Sequence, residues 1–69
     1  MSAAELGAQL YCDDVAAAHL LPEECQDAPY RWTAAQTMAL ADALGRQPTR
    51  VEIDEAREAY YAARSAARS

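Results

Sequence analysis

The sequence predicts an all-α fold, a small helical domain with three helices at about residues 3–20, 34–44 and 50–66. Three observations predict it. Ser2/Glu5, Thr33/Gln36 and Thr49/Glu52 are each a hydroxyl residue followed three places later by Glu or Gln. That spacing is the capping box of a helix start. Gly45 and Pro48 interrupt the chain between the last two helices. Apolar residues recur at helical rather than strand spacing within each segment.

The first helix follows the Ser2 box. Leu6, Leu10, Ala17, Leu20 and Leu21 share one face at about 100° per residue. Asp13 intrudes on that face and Asp14 borders it. Gly7 costs the helix about 1 kcal/mol relative to alanine. Pro22-Glu23-Glu24 suits a first helical turn, with Pro at its start and acids near the positive dipole end. Pro29 ends that turn, so Cys25 to Trp32 is expected to be a connector.

The second helix follows Thr33. After the cap its polar side chains are Gln36, Thr37 and Asp42. So apolar a helix is expected to lie buried or in an interface. Gly45 accepts the left-handed conformation past its end, and Pro48 holds Gln47 extended. Thr49 and Glu52 then start the third helix, which makes an αα-corner at 45–49. In the third helix Ile53, Ala56, Tyr60, Ala63 and Ala67 repeat at 3,4,3,4 spacing. That is a coiled-coil-like seam whose small residues let a second backbone approach. Ile53, Ala56, Tyr60 and Ala63 are expected to form the seam of a homodimer.

One domain is expected over residues 1–69. A chain this short buries only about 60% of its unfolded surface. Much of its apolar content is alanine, which offers little area to bury. Small scaffolds of this kind need a disulfide, a metal or an oligomer, and the expectation is the last. The net charge is −5, with six Arg and no Lys. Residues 1–45 carry net −6 and residues 46–69 net +1. An acidic surface argues against nucleic acid, whose affinity rests on cations facing phosphates. It suits docking on a basic surface of another protein, head-to-tail self-association, or plain solubility. No run approaches the ~18 apolar residues of a membrane span. The N-terminus lacks the order of a signal peptide, so the expected location is cytoplasmic. Arg-only, Ala-rich usage suggests a bacterial or phage genome.

Cys12, Asp13, Asp14, His19 and Cys25 are the nearest approach to a metal site. They lack a close Cys pair, and Cys12 and His19 are almost two helical turns apart. No metal or other cofactor is expected. A Cys12–Cys25 disulfide would require an oxidising compartment. Cys12, His19 and Asp14 could be written as a nucleophile, base and acid, but so short a chain cannot wall off a dry pocket of ~300 Å³. The chain is expected not to be an enzyme. Tyr30-Arg31-Trp32 is the most suggestive segment, because Trp, Tyr and Arg dominate interface hot spots. Trp32 also precedes the Thr33 cap, where it would staple over Thr37 or Met38. Arg57, Tyr61 and Arg64 share one side of the third helix, where an exposed Tyr flanked by Arg could stack on a partner. The simpler reading is a solvated face with an Asp54–Arg57 pair.

Leu44-Gly45-Arg46, Pro48-Thr49 and Glu52-Ile53 resemble the L-G-R-x-P-T-x-x-E-I signature in the region-3 helical domain of bacterial primary-type sigma factors. The likeness is confined to residues 44–53, and the flanks depart from the family. It implies a small helical domain linked to transcription and, in that family, contact with promoter DNA.

Three functions are expected in descending order. The first is a small non-enzymatic interaction module that binds and modulates a partner protein such as a transcription regulator, with inhibition ranked ahead of activation, as a phage-encoded host modulator would. Its partner-binding residues would be Tyr30, Arg31, Trp32, Arg57, Tyr61 and Arg64. The second is a helix–turn–helix DNA-binding regulator reading with Arg50 and Arg57, against which Glu52, Asp54, Glu55 and Glu58 would repel phosphates. The third is an accessory subunit of a larger enzyme complex.

Overall fold

A computed structural model of the chain describes residues 2–18 and 30–68. The described residues form three helices and no strand: α1 (Ala3–Ala18), α2 (Ala34–Leu44) and α3 (Arg50–Arg68). The expected continuation of α1 through Leu20, the turn at Pro22 and the residues His19 and Cys25 lie outside the described residues.

The boxes that the sequence announces close the starts of α2 and α3 in both directions, and at α1, among the described residues, the serine arm alone forms. The Glu5 amide donates to Ser2 Oγ at 3.2 Å. The Ala35 amide donates to Thr33 Oγ1 at 3.2 Å, while the Thr33 amide donates to Gln36 Oε1 at 2.8 Å. At α3 the Glu52 amide donates to Thr49 Oγ1 and the Thr49 amide returns a bond to Glu52 Oε1 at 2.9 Å. These bonds satisfy amides that have no partner within the helix. α2 ends where Gly45 takes φ 72°. There the Arg46 amide reaches Ala41 O and the Gly45 amide reaches Asp42 O, both at 3.3 Å, which is the Schellman pattern.

Arg46 adds a brace across this link. Its guanidinium donates to both oxygens of Glu52, at 2.8 and 2.7 Å. Arg46 and the Thr49 amide together hold the Glu52 carboxyl down at about 2. The folded form therefore binds fewer protons than the unfolded chain between about pH 2 and the ordinary 4.5. The stabilisation is full above about 4.5 and is lost as pH falls through that window. We expect Glu52→Gln to lower the melting temperature at neutral pH and to flatten the acid limb of a stability–pH curve. An unchanged acid limb would show that the brace contributes nothing.

The main packing is α1 on α3. Gly7 meets Ala56, and Tyr11 meets Tyr60 four residues later in both helices, so the two run in the same direction. At the crossing a Cβ on Gly7 would stand 2.0 Å from Ala56 O. Ala56, Tyr60 and Leu40 have no exposed surface, and Ala3, Tyr11 and Ala18 are nearly as covered. The buried face of α1 is thus Ala3, Gly7, Tyr11 and Ala18 rather than the face of Leu6, Leu10 and Ala17. Leu6 and Leu10 are half-buried and Ala17 is exposed. Small residues win the central position because two helix backbones can touch only where side chains are short. α2, expected to lie buried or in an interface, is largely left uncovered by its own chain. Leu40 is its one buried residue, and Met38 is 68% exposed.

Candidate interaction surface

All five aromatic residues of the chain join one cluster, although they come from three separate parts of the sequence. Tyr60 of α3 sits at its centre. Its ring is 5.5 Å from Tyr11, 5.7 Å from Trp32 and 5.6 Å from Tyr61, each nearly perpendicular. Tyr30 meets Tyr11 edge-on at 5.5 Å. Edge-to-face pairs place a positive ring rim against a negative ring face, adding about 0.5–1.5 kcal/mol each beyond area burial.

Polar handles fix the rings in place. Tyr60 donates its hydroxyl to Asp14 Oδ2 at 2.5 Å, and Gln36 Nε2 donates to the same oxygen at 3.1 Å. Asp14 of α1 therefore holds α2 and α3 at once. Burial, followed by the bond to Asp14, pushes the Tyr60 hydroxyl pKa upward. The indole of Trp32 donates to Thr37 Oγ1 at 2.9 Å, and its backbone amide donates to the Tyr61 hydroxyl at 2.8 Å. Arg64 donates to the Tyr30 carbonyl at 2.7 Å while its guanidinium lies 4.6 Å from the Tyr61 ring centroid. This cation–π contact belongs to a residue that is only half-buried.

Tyr30, Trp32, Tyr61 and Arg64 are thus brought to one place from both sides of α2. All four are half-buried, and Arg31 stands exposed between Tyr30 and Trp32. Arg57 is not part of the ring cluster. It is exposed and paired with Asp54 at 3.2 Å. Tyr61, read from sequence as an exposed stacking ring, has its hydroxyl engaged by the connector. Trp32 reaches Thr37, the position the staple geometry requires, and donates a hydrogen bond to its hydroxyl.

The seam residues lie on the face that α1 covers. Ala56 and Tyr60 are fully enclosed by their own chain, and Ile53 and Ala63 are half-buried. A second copy could reach only Ile53 and Ala63 of this set. Of the residues weighed for metal binding, Cys12 is exposed, Asp13 accepts from Gln9 at 3.0 Å, and Asp14 is taken up by Tyr60 and Gln36. Among the described residues no three His, Cys, Asp or Glu are placed to share a metal ion, and no helix is long and apolar enough to cross a membrane. Gly7, Tyr11 and Gln36 were not singled out as contributors to a site by sequence, and Asp14 was weighed only as a metal ligand or a catalytic acid. The signal was there in part: Gly7, Tyr11 and Asp14 follow at 4,3 spacing on one helical face.

No protein-family model matches the chain, and comparisons with curated proteins and with solved structures give no significant match.

Proposed function

We propose that the chain is a small non-enzymatic interaction module that binds a partner protein and inhibits it by occupying its surface. One observation carries the reading. Tyr30, Arg31, Trp32, Tyr61 and Arg64 converge on one surface whose rings are held rigidly from behind. Aromatic and Arg side chains with little freedom left to lose are what hot spots are built from. The Gly45–Thr49 link acts in this reading as an αα-corner that presents α2 beside that surface. The acting unit is the single chain, since the small-residue stripe of α3 already packs on α1. A transcription regulator is the partner class favoured by the sigma-like segment at 44–53, and a phage-encoded host modulator suits the size. The charge on α3 supports a protein partner over DNA. Arg57 is paired with Asp54, and Glu55 and Glu58 stand exposed along the same helix.

Arg31 is the residue to test, because it is exposed and its side chain takes part in none of the ring contacts. Arg31→Glu should leave thermal stability within about 0.5 kcal/mol. It should weaken capture of a specific bacterial protein by at least about 30-fold, the scale of one hot-spot residue. Asp42→Lys on exposed α2 is the control and should capture normally. A protein retained equally by all three chains would contradict the assignment of this surface. Retention of DNA that falls steeply with salt would favour the helix–turn–helix alternative.

A further inference from the structure

We propose that a groove on the other flank of α3 is a second docking site, one that receives a cationic amphipathic helix of a partner protein. The groove has a volume of about 320 Å³ and is lined by Ala4 of α1 with Glu55, Glu58, Ala59 and Ala62 of α3. At about 100° per residue these α3 positions lie well away from Arg57, Tyr61 and Arg64. The lining is thus three alanines and two glutamates, and the glutamates stand three residues apart along α3.

The charges around α3 indicate what fits there. Glu52 is held by Arg46, and Asp54 is held by Arg57. Arg64 is committed to Tyr30 and Tyr61. Glu55 and Glu58, the two acids that line the groove, take part in no ion pair among the described residues. Like charges at this spacing repel, and a cation between them relieves the repulsion. An Arg or Lys side chain matches both parts of the site. Its aliphatic stem lies on the alanines while its head reaches the two carboxylates. Alanine side chains end at Cβ, so the backbone of an incoming helix can come close, as the backbones of α1 and α3 do at Gly7 and Ala56. A second copy is disfavoured as the occupant, because each chain carries net charge −5 and two copies repel. The proposal extends the reading as an interaction module to a separate surface, and the two can fail independently.

The probe is a stapled helical peptide with Arg at i and i+4 beside an alanine stripe, and its control is a scrambled helix of equal charge. Binding is read by NMR shifts of the Ala4, Ala59 and Ala62 methyls, with affinity from fluorescence anisotropy. The patterned helix should bind and shift these three methyls. Glu55→Gln/Glu58→Gln should weaken it by about tenfold, as expected for loss of two exposed charge pairs. Ala62→Leu, which fills the groove and keeps both charges, should weaken it similarly. Arg31→Glu should leave it unchanged, which separates this site from the aromatic surface. The proposal is overturned if the patterned helix does not bind, if the scrambled helix binds as well, or if Ala62→Leu has no effect. It is also overturned if the same methyls shift with protein concentration alone, since the occupant would then be a second copy.

Discussion

Gly7→Ala should destabilise the chain by about 3 kcal/mol, even though alanine is the better helix former. The helix itself gains about 1 kcal/mol from the exchange. Against that, the new methyl would lie 2.0 Å from Ala56 O and 2.6 Å from Ala56 C and Cα. The neighbour is backbone, which cannot swing aside as a flexible side chain would. Relief requires α1 to withdraw by roughly 1 Å or more, to the ~3.3 Å of an ordinary C–H···O contact. Withdrawal loosens Tyr11 against Tyr60 and Asp14 against the Tyr60 hydroxyl. For a domain this small the loss is a large share of total stability. Gly45→Ala is the informative comparison. Nothing lies within 4 Å of its added Cβ, and the whole cost comes from φ 72°, at about 1–2 kcal/mol. Urea melts followed by circular dichroism should therefore rank the variants wild type, Gly45→Ala, Gly7→Ala in falling stability. Equal stability of wild type and Gly7→Ala would mean that α1 and α3 do not touch there.

Tyr60→Ala should be more damaging still, at about 3–5 kcal/mol, the range for deleting a buried aromatic ring. Tyr60 has no exposed surface, and three of the four close ring pairs in the cluster include it. Its removal also takes one of two donors from Asp14. Tyr60→Phe separates the two effects. It keeps the ring and loses only the bond to a carboxylate, for about 1.5–3 kcal/mol. The pH dependence gives an independent check. Because the folded hydroxyl has a raised pKa, the folded chain holds a proton that the unfolded chain releases above about pH 10. The stabilisation is full below that pH and is lost as pH climbs further. Wild type should therefore lose stability above about pH 10 more steeply than Tyr60→Phe. Matching alkaline limbs would show that Tyr60 is not shielded.

The helix starts and the link between α2 and α3 are legible in the sequence because each carries its own chemistry. Thr33 with Gln36, Gly45 with Pro48 and Thr49 with Glu52 act within a few residues, so no tertiary information is needed to read them. The packing face of α1 is not legible in this way. Leu6 and Leu10 outrank Gly7 on any hydrophobicity scale, yet the close approach of two backbones selects the residue with no side chain. Burial at Gly7 depends on Ala56, 49 residues later, and sequence spacing does not reveal that pairing. The same reason explains α3. Its 3,4 repeat correctly marks an apolar stripe, but a stripe does not say whether its cover comes from the same chain or another. Tyr30-Arg31-Trp32 and Tyr61 with Arg64 are each visible as candidate contacts. That they meet follows from the Trp32 amide reaching Tyr61 and Arg64 reaching Tyr30, bonds that span 29 and 34 residues.

The central physical claim is that the five rings close a single chain upon itself and thereby hold the Arg31 surface rigid. An isotope-filtered NOESY on an equimolar mixture of labelled and unlabelled protein tests it most directly. The Tyr60 ring should show strong contacts to the Tyr11, Trp32 and Tyr61 rings within one molecule and none between labelled and unlabelled molecules. Intermolecular contacts at the Tyr60 ring or the Ala56 methyl would contradict the account and return the α3 stripe to a dimer seam.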